Sequence, residues 1–149
     1  MRRILTAAFA VAAIAAPVAL ASPASAASSV RIDYAQYDSP GSDTGSNYSL
    51  NNEFIRIRNF DNVAHSIGGW TLEDTSGHVY TFRPRARIAP GAVVRVRTGS
   101  GSDTTYNKYQ DAGWYIWNNT RDTATLRKAT GRWVDNCSWT TRGTGAKRC

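Results

Sequence analysis

The segment GGWTLEDTSGHVYTF, residues 68–82, places two carboxylates and a histidine close together in the sequence. Glu73, Asp74 and His78 are residue types that carry general acid–base chemistry. In an extended strand, however, adjacent side chains point to opposite faces, so Glu73 and Asp74 cannot act as a pair on one bond. Asp74 directly precedes Thr-Ser-Gly, where a carboxylate accepts backbone N–H bonds across a turn. We therefore expect a β-hairpin here and no catalytic site.

The sequence also contains few motifs that would indicate a catalytic, metal or cofactor site. The sequence contains no GxSxG, HExxH or phosphate-binding loop. Asp33, Asp38 and Asp43 could supply carboxylates to a calcium ion, but their spacing does not match a DxDxDG loop, and we interpret them as solvated loop acids. The two cysteines are far from both histidines and lack CxxC spacing, which disfavours zinc. We expect neither a metal nor a cofactor.

Arginines are the strongest candidates for binding chemistry. Seven of them alternate with apolar residues or flank a proline turn: Arg56, Arg58, Arg83, Arg85, Arg87, Arg95 and Arg97. If their strands are neighbours, one sheet face carries an arginine-rich stripe suited to phosphate, carboxylate or sulfate. The hypothetical ligand-binding set is Arg56, Arg58, Arg85, Arg87, Arg95 and Arg97. The alternative is that arginine is only the polar residue of a solvated sheet face.

Aromatic residues form a second candidate site. Trp114, Tyr115 and Trp117, with Tyr106 and Tyr109 nearby, could stack on a sugar ring. Alternation puts Tyr115 opposite Trp114, and we expect Trp117 to join the core, so only part of the set can be exposed. Sugar binding is therefore a secondary hypothesis, which an exposed Trp114 would favour.

The N-terminus indicates export. It reads MRRILTAAFAVAAIAAPVALASPASA, with two arginines, an alanine-rich apolar run and a small-residue cleavage pattern ending at Ala26. Pro17 and the small residues after it disfavour a permanent membrane anchor, so we expect no transmembrane segment in the mature chain. The formal net charge of the full chain is +7, which favours anionic partners without naming one. We predict a signal peptide at 1–26, one domain at 27–136, and a tail at 137–149.

The cysteines fit an exported protein. Cys137 and Cys149 both lie near the C-terminus, and an exported chain meets an oxidising environment. We predict a disulfide between them that ties down the intervening Gly- and Thr-rich tail. Closing so short a loop stabilises the fold by about 3 kcal/mol at most.

Short runs rich in Val, Ile, Tyr, Phe, Trp and Thr alternate with Gly, Asn, Asp, Ser and Pro clusters, as is typical of an all-β domain. EFIRIRNF, residues 53–60, alternates so that Ile55 and Ile57 face the core and the arginines face away. The run VRVRTG repeats this pattern with Val94 and Val96. No window has a convincing helical stripe. About seven strands with this spacing predict an immunoglobulin-like β-sandwich.

Several ordered segments carry a family resemblance. EFIRIRN, GGWTLED, YTF, APG, VRVRTG, WNNTRDTATL and GRWVD together resemble a lamin-tail domain over roughly residues 30–136, in the form of an exported bacterial-type single-domain member. The resemblance implies an immunoglobulin-like sandwich for binding or scaffolding, without catalytic residues. The residues that match fold-defining positions of the family are Glu53, Asn59, Trp70, Leu72, Asp74, Pro90, Gly91, Asp122 and Leu126. The coiled coil of filament proteins is missing, so filament assembly and nuclear contacts are not transferred.

These observations predict a secreted, non-enzymatic binding or structural module. Its arginines would engage an anionic polymer or protein at the cell surface, in preference to nucleic acid, because basic charge alone gives salt-sensitive and weakly selective contact. Two alternatives stay open. One is a structural, self-associating cell-surface protein that pairs through exposed strand edges. The other is an extracellular hydrolase with a site built from loops.

Overall fold

The computed structural model describes residues 28–140 and 143–149, so the predicted signal peptide at 1–26 lies outside the described residues. Within those ranges the chain forms one short helix and eleven strands: β1 (Val30–Gln36), α1 (Asn47–Leu50), β2 (Phe54–Asn59), β3 (His65–Ser66), β4 (Thr71–Glu73), β5 (Val79–Thr81), β6 (Arg87–Ile88), β7 (Val93–Arg97), β8 (Asn107–Tyr109), β9 (Asp122–Arg127), β10 (Trp133–Trp139) and β11 (Ala146–Arg148). In the same part of the chain, no helix has the length and apolar character needed to cross a membrane.

The strands form two larger sheets and one small one. The five-stranded sheet has the order β11-β1-β2-β7-β8, the four-stranded sheet β10-β9-β4-β5, and the two-stranded sheet β3-β6. Pairing is antiparallel apart from β7 with β8, which is parallel. This confirms the immunoglobulin-like β-sandwich. The strands outnumber the seven expected because several pair over only two or three residues.

The core lies between the two larger sheets and follows the predicted alternation. Ile55 and Ile57 of β2 and Val94 and Val96 of β7 are buried from the five-stranded sheet. The four-stranded sheet contributes Leu72, Ala124, Leu126 and Val134 to the same cluster. Alternate positions of β2 and β7 therefore point outward, and these are the positions of the arginines.

Buried polar residues join the loops to this core. The Oε1 atom of Glu53, which is fully buried, accepts hydrogen bonds from Thr98 Oγ1 at 2.6 Å and from the amides of Ile116 at 2.9 Å and Trp117 at 3.2 Å. Burial raises the pKa of Glu53 to about 7, although each of these bonds acts in the opposite direction. Glu53 thus fastens the start of β2 to the end of β7 and to the segment before β9.

Two other residues that match the family pattern act in the same way. Asn59 Nδ2 donates to the carbonyl oxygens of Val63, Ile88 and Ala89. Asp122, also buried, accepts from the Thr75 hydroxyl and from backbone amides on both sides of itself. Because these side chains satisfy backbone groups of irregular segments, they fix the connections that the sheets alone do not hold.

Trp70 is less deeply buried than its size and its place on a hairpin suggest. It lies just before β4 and packs against the core while remaining only partly buried. Leu72 and Phe82, which are fully buried, fill the core position of this hairpin instead. At the proline turn, Gly91 has a φ of 65°, a backbone conformation that glycine adopts without strain.

The Cys137–Cys149 disulfide is present, with the two Cα atoms 5.7 Å apart. Cys137 lies inside β10, so the predicted domain boundary at residue 136 falls within a strand. Residues 146–148 also belong to the sandwich, since they pair with β1 as strand β11. Backbone pairing, together with the disulfide, orders a segment whose composition suggested a tail.

Candidate functional site

In the hairpin formed by β4 and β5, Glu73, Asp74 and His78 make contacts that stabilise the fold. Asp74 Oδ1 accepts from the amides of Ser76 at 3.0 Å and His78 at 2.7 Å, and Asp74 Oδ2 lies 2.7 Å from His78 Nδ1. Glu73, which points the other way, forms an ion pair with Arg127 of the neighbouring strand β9. The two adjacent carboxylates are therefore engaged on opposite sides of β4, one closing the turn and the other pairing across the sheet.

The arginines of β2 and β7 share one surface. These two strands are neighbours, with Arg56 opposite Arg95 and Phe54 opposite Arg97. Directly opposite residues of an antiparallel pair project from the same face of the sheet. The outer face of the five-stranded sheet therefore brings together four of the six hypothetical ligand-binding residues: Arg56, Arg58, Arg95 and Arg97.

The other two hypothetical residues lie elsewhere. Arg87 belongs to β6, which pairs with β3 in the two-stranded sheet, and Arg85 is in the exposed turn before it. Arg83, from the same turn, lies 3.4 Å from Asp103. The single stripe expected from the sequence is therefore split, because β6 does not join the sheet that contains β2 and β7.

One arginine of this face was absent from the sequence-based set. Arg31 of β1 is opposite Arg58 of β2, and its guanidinium lies 4.0 Å from the centre of the Phe60 ring. The alternation of Val30, Arg31 and Ile32, with both apolar residues buried, is the signal that could have found it. We define the arginine face as Arg31, Arg56, Arg58, Arg95 and Arg97.

Aromatic rings lie beneath these guanidinium groups. Phe60 underlies Arg31 and Arg58, the latter at 5.4 Å from the ring centre. Phe54 underlies Arg95 at 5.7 Å and Arg97 at 5.4 Å, and Tyr34 underlies Arg56 at 5.1 Å. Such cation–π contacts restrict the arginine side chains. The rings therefore hold the five guanidinium groups against one sheet face.

The face carries excess positive charge. Arg56 makes a two-pronged ion pair with Asp33, at 2.8 Å and 2.9 Å. Among the described residues, the other four arginines have no carboxylate within 4 Å. Arg97 donates instead to Asn107 Oδ1 at 2.8 Å, and its pKa is lowered by burial and by the neighbouring charge of Arg95. An added anion would relieve this repulsion.

The aromatic candidate site is smaller than the sequence suggested. Trp114 is 63% exposed, whereas Trp117 is in the core, as expected. The Tyr115 hydroxyl is 2.5 Å from Ser49 Oγ, and the Tyr115 ring packs edge-on against Trp114. The Trp114 ring also covers the backbone at Gly45, where a Cβ would lie 2.5 Å from it. Trp114 is therefore a single exposed aromatic ring that is held in place by Tyr115 and by the backbone at Gly45.

The comparison with known families agrees with this architecture. The model of the Lamin Tail Domain matches residues 23–141. The chain belongs to the lamin-tail domain family. No curated protein matches it. Within this lamin-tail domain, the match spans the strands that carry the arginine face but ends before β11 and Cys149.

Proposed function

We propose that this lamin-tail domain is a secreted, non-catalytic module that binds an extended anionic polymer at the cell surface through its arginine face. The observation that carries the proposal is the gathering of five arginines on one sheet face, four of them without a carboxylate partner among the described residues. The disulfide supports export, because such bonds persist in oxidising compartments.

A polymer suits this face better than a small anion does. The arginines are spread over three adjacent strands, and neighbouring strands lie about 4.8 Å apart. A lone phosphate or sulfate would contact only one or two guanidinium groups, whereas a chain of anionic groups contacts several at once. Multiple weak contacts of this kind give useful affinity without a deep pocket.

Binding should be measured with the purified protein across a salt series. The probes are heparin, a glycerol-phosphate wall polymer and double-stranded DNA. We expect saturable binding to at least one of the first two, weakening as salt rises, because each ion pair releases counterions. The test variant is Arg58→Ala/Arg95→Ala, since neither side chain has a carboxylate partner whose loss would complicate the result.

The matched control is Arg121→Ala/Arg132→Ala, which removes the same charge from exposed loop positions before β9 and β10. We expect about a tenfold loss of affinity and a shallower salt dependence for the test variant, and little change for the control. Equal losses in both variants would overturn the proposal, because net charge alone would then account for binding. Tighter binding to DNA than to both polymers would assign the face to nucleic acid. If nothing binds and the protein self-associates, the structural alternative is the better one.

A further inference from the structure

The arginine face continues onto β11, beyond the part of the chain that matches the family. In the antiparallel pairing of β1 with β11, Arg148 is directly opposite Tyr34. Tyr34 is in turn opposite Arg56, and Arg56 is opposite Arg95. Since opposite residues project from the same face, one row crosses four strands in the order Arg148, Tyr34, Arg56 and Arg95.

The neighbouring residue confirms the orientation of β11. Lys147 is opposite the buried Ala35, and its Nζ donates to the carbonyl oxygen of Ser138 on β10. Lys147 is therefore directed toward the second sheet, and alternation directs Arg148 outward. Arg148 is exposed and has no carboxylate within 4 Å among the described residues.

A three-residue strand at a sheet edge makes few hydrogen bonds and is marginal without further support. Here that support is covalent. Cys149 directly follows β11, its amide donates to the Asp33 carbonyl at 3.2 Å, and its sulfur is bonded to Cys137 of the four-stranded sheet. The disulfide therefore clips the end of β11 to the opposite sheet, one residue from Arg148.

We propose that the Cys137–Cys149 disulfide completes the anion-binding surface by holding Arg148 in line with the arginine face. The inference rests on the proposed function and deepens it, because it adds a binding residue and defines the length of ligand required. A row across four strands is about 14 Å long, given the usual strand spacing. A ligand must be an oligomer that spans this distance to gain from Arg148.

The test uses size-defined heparin oligosaccharides and the purified, disulfide-bonded protein. With the longest fragments, we expect Arg148→Ala to lower affinity about fivefold. Lys147→Ala is the matched control, since it removes the same charge from the same strand but from the other side, and it should change affinity less than twofold. With the shortest fragments the two variants should not differ, because such ligands do not reach across the row.

The role of the disulfide is tested by Cys137→Ser/Cys149→Ser, alone and combined with Arg148→Ala. We expect the cysteine variant to lose about fivefold, and the triple variant to lose no more than that, because Arg148 contributes only while β11 is held. Amide hydrogen exchange at residues 146–148 should become faster in the cysteine variant, which checks the clip independently of any ligand.

Three outcomes would overturn this inference: Arg148→Ala matching Lys147→Ala at every fragment length, the cysteine variant binding as tightly as the native protein, or additive losses in the triple variant. The proposed function has its own readout. If Arg58→Ala/Arg95→Ala weakens heparin binding and Arg148→Ala does not, the arginine face stands and only its extension fails. If the native protein binds neither a heparin fragment nor the glycerol-phosphate polymer, both are wrong.

Discussion

The two outer faces of this sandwich share a fold and a solvent but differ in chemistry. The five-stranded sheet carries the five arginines of the arginine face, which make cation–π contacts with aromatic rings. The outward positions of the four-stranded sheet instead include Thr71, Thr81 and Thr125, with Glu73 and Arg127 neutralising each other. We call this second surface the threonine face.

The difference bears on whether the arginines are merely solvated surface. Threonine is an ordinary strand residue with high β-propensity, and on the threonine face it stands beside two exposed apolar residues, Val79 and Trp133. On the arginine face, by contrast, Arg56 is opposite Arg95 and Arg31 is opposite Arg58. Like charges directly opposite each other destabilise a sheet. On the arginine face, the Asp33 ion pair and the aromatic rings offset part of this repulsion, and the binding proposed above would offset more of it.

Charge reversal should break the comparison most strongly. Arg58→Glu/Arg95→Glu places carboxylates at the centre of the arginine face, where they repel an anionic polymer, so we expect at least about a hundredfold loss of heparin affinity. The matched control, Arg121→Glu/Arg132→Glu, makes the same change in net charge at the ends of β9 and β10. Binding isotherms at fixed salt measure both. If the control loses as much as the test variant, net charge and not the arginine face accounts for the binding.

Stability and heparin binding should respond differently to pH, because Glu53 titrates while the arginines of the arginine face do not. The raised pKa of Glu53, about 7 against 4.5 when exposed, means that the folded chain retains a proton which the unfolded chain releases between those values. The free energy of unfolding from this group is therefore greatest below pH 4.5 and falls as the pH rises through 7. We expect a loss of about 2 kcal/mol between pH 5 and 8 in urea unfolding.

Glu53→Gln keeps an acceptor oxygen but cannot titrate, so its stability should be nearly flat over the same range. The heparin affinity of the native protein should also stay constant, because arginine remains charged throughout. A Gln variant that loses as much stability as the native protein would assign the effect to another group, such as Asp135, whose pKa burial also raises.

Removing an aromatic ring beneath the arginines should have the smallest effect on heparin affinity. Phe60→Leu preserves apolar bulk on the surface but abolishes the cation–π contacts with Arg31 and Arg58. Such contacts are worth about 0.5–1 kcal/mol at exposed sites, so we expect heparin affinity to fall about threefold. Val79→Leu, which changes an exposed apolar residue on the threonine face opposite Glu73, is the control. An unchanged affinity in Phe60→Leu would mean that the rings do not pre-organise the arginines.

The sequence predicted those features that depend on local periodicity. Alternation in β2 and β7 identified both the core residues and the outward arginines, and Asp74 was assigned to its turn from the residues that follow it. Features set by long-range pairing were not accessible. Nothing near Arg87 specifies that β6 pairs with β3, and the register shift between Ile32 and Tyr34 interrupts the alternation of β1. Likewise, β11 is too short to show a pattern, so Arg148 was hidden in an apparent tail.

Asp33 gives the arginine face an internal counter-ion. Its carboxylate holds Arg56 through two hydrogen bonds, and Arg56 is the arginine directly opposite Arg95. The free protein therefore lessens the repulsion at its own centre, while an approaching polymer meets one fixed negative charge among the positive ones. A single anionic group would gain little by competing with Asp33, whereas a dense row of such groups would outweigh it. If the arginine face binds an anionic polymer as proposed, Asp33 would favour ligands of high charge density.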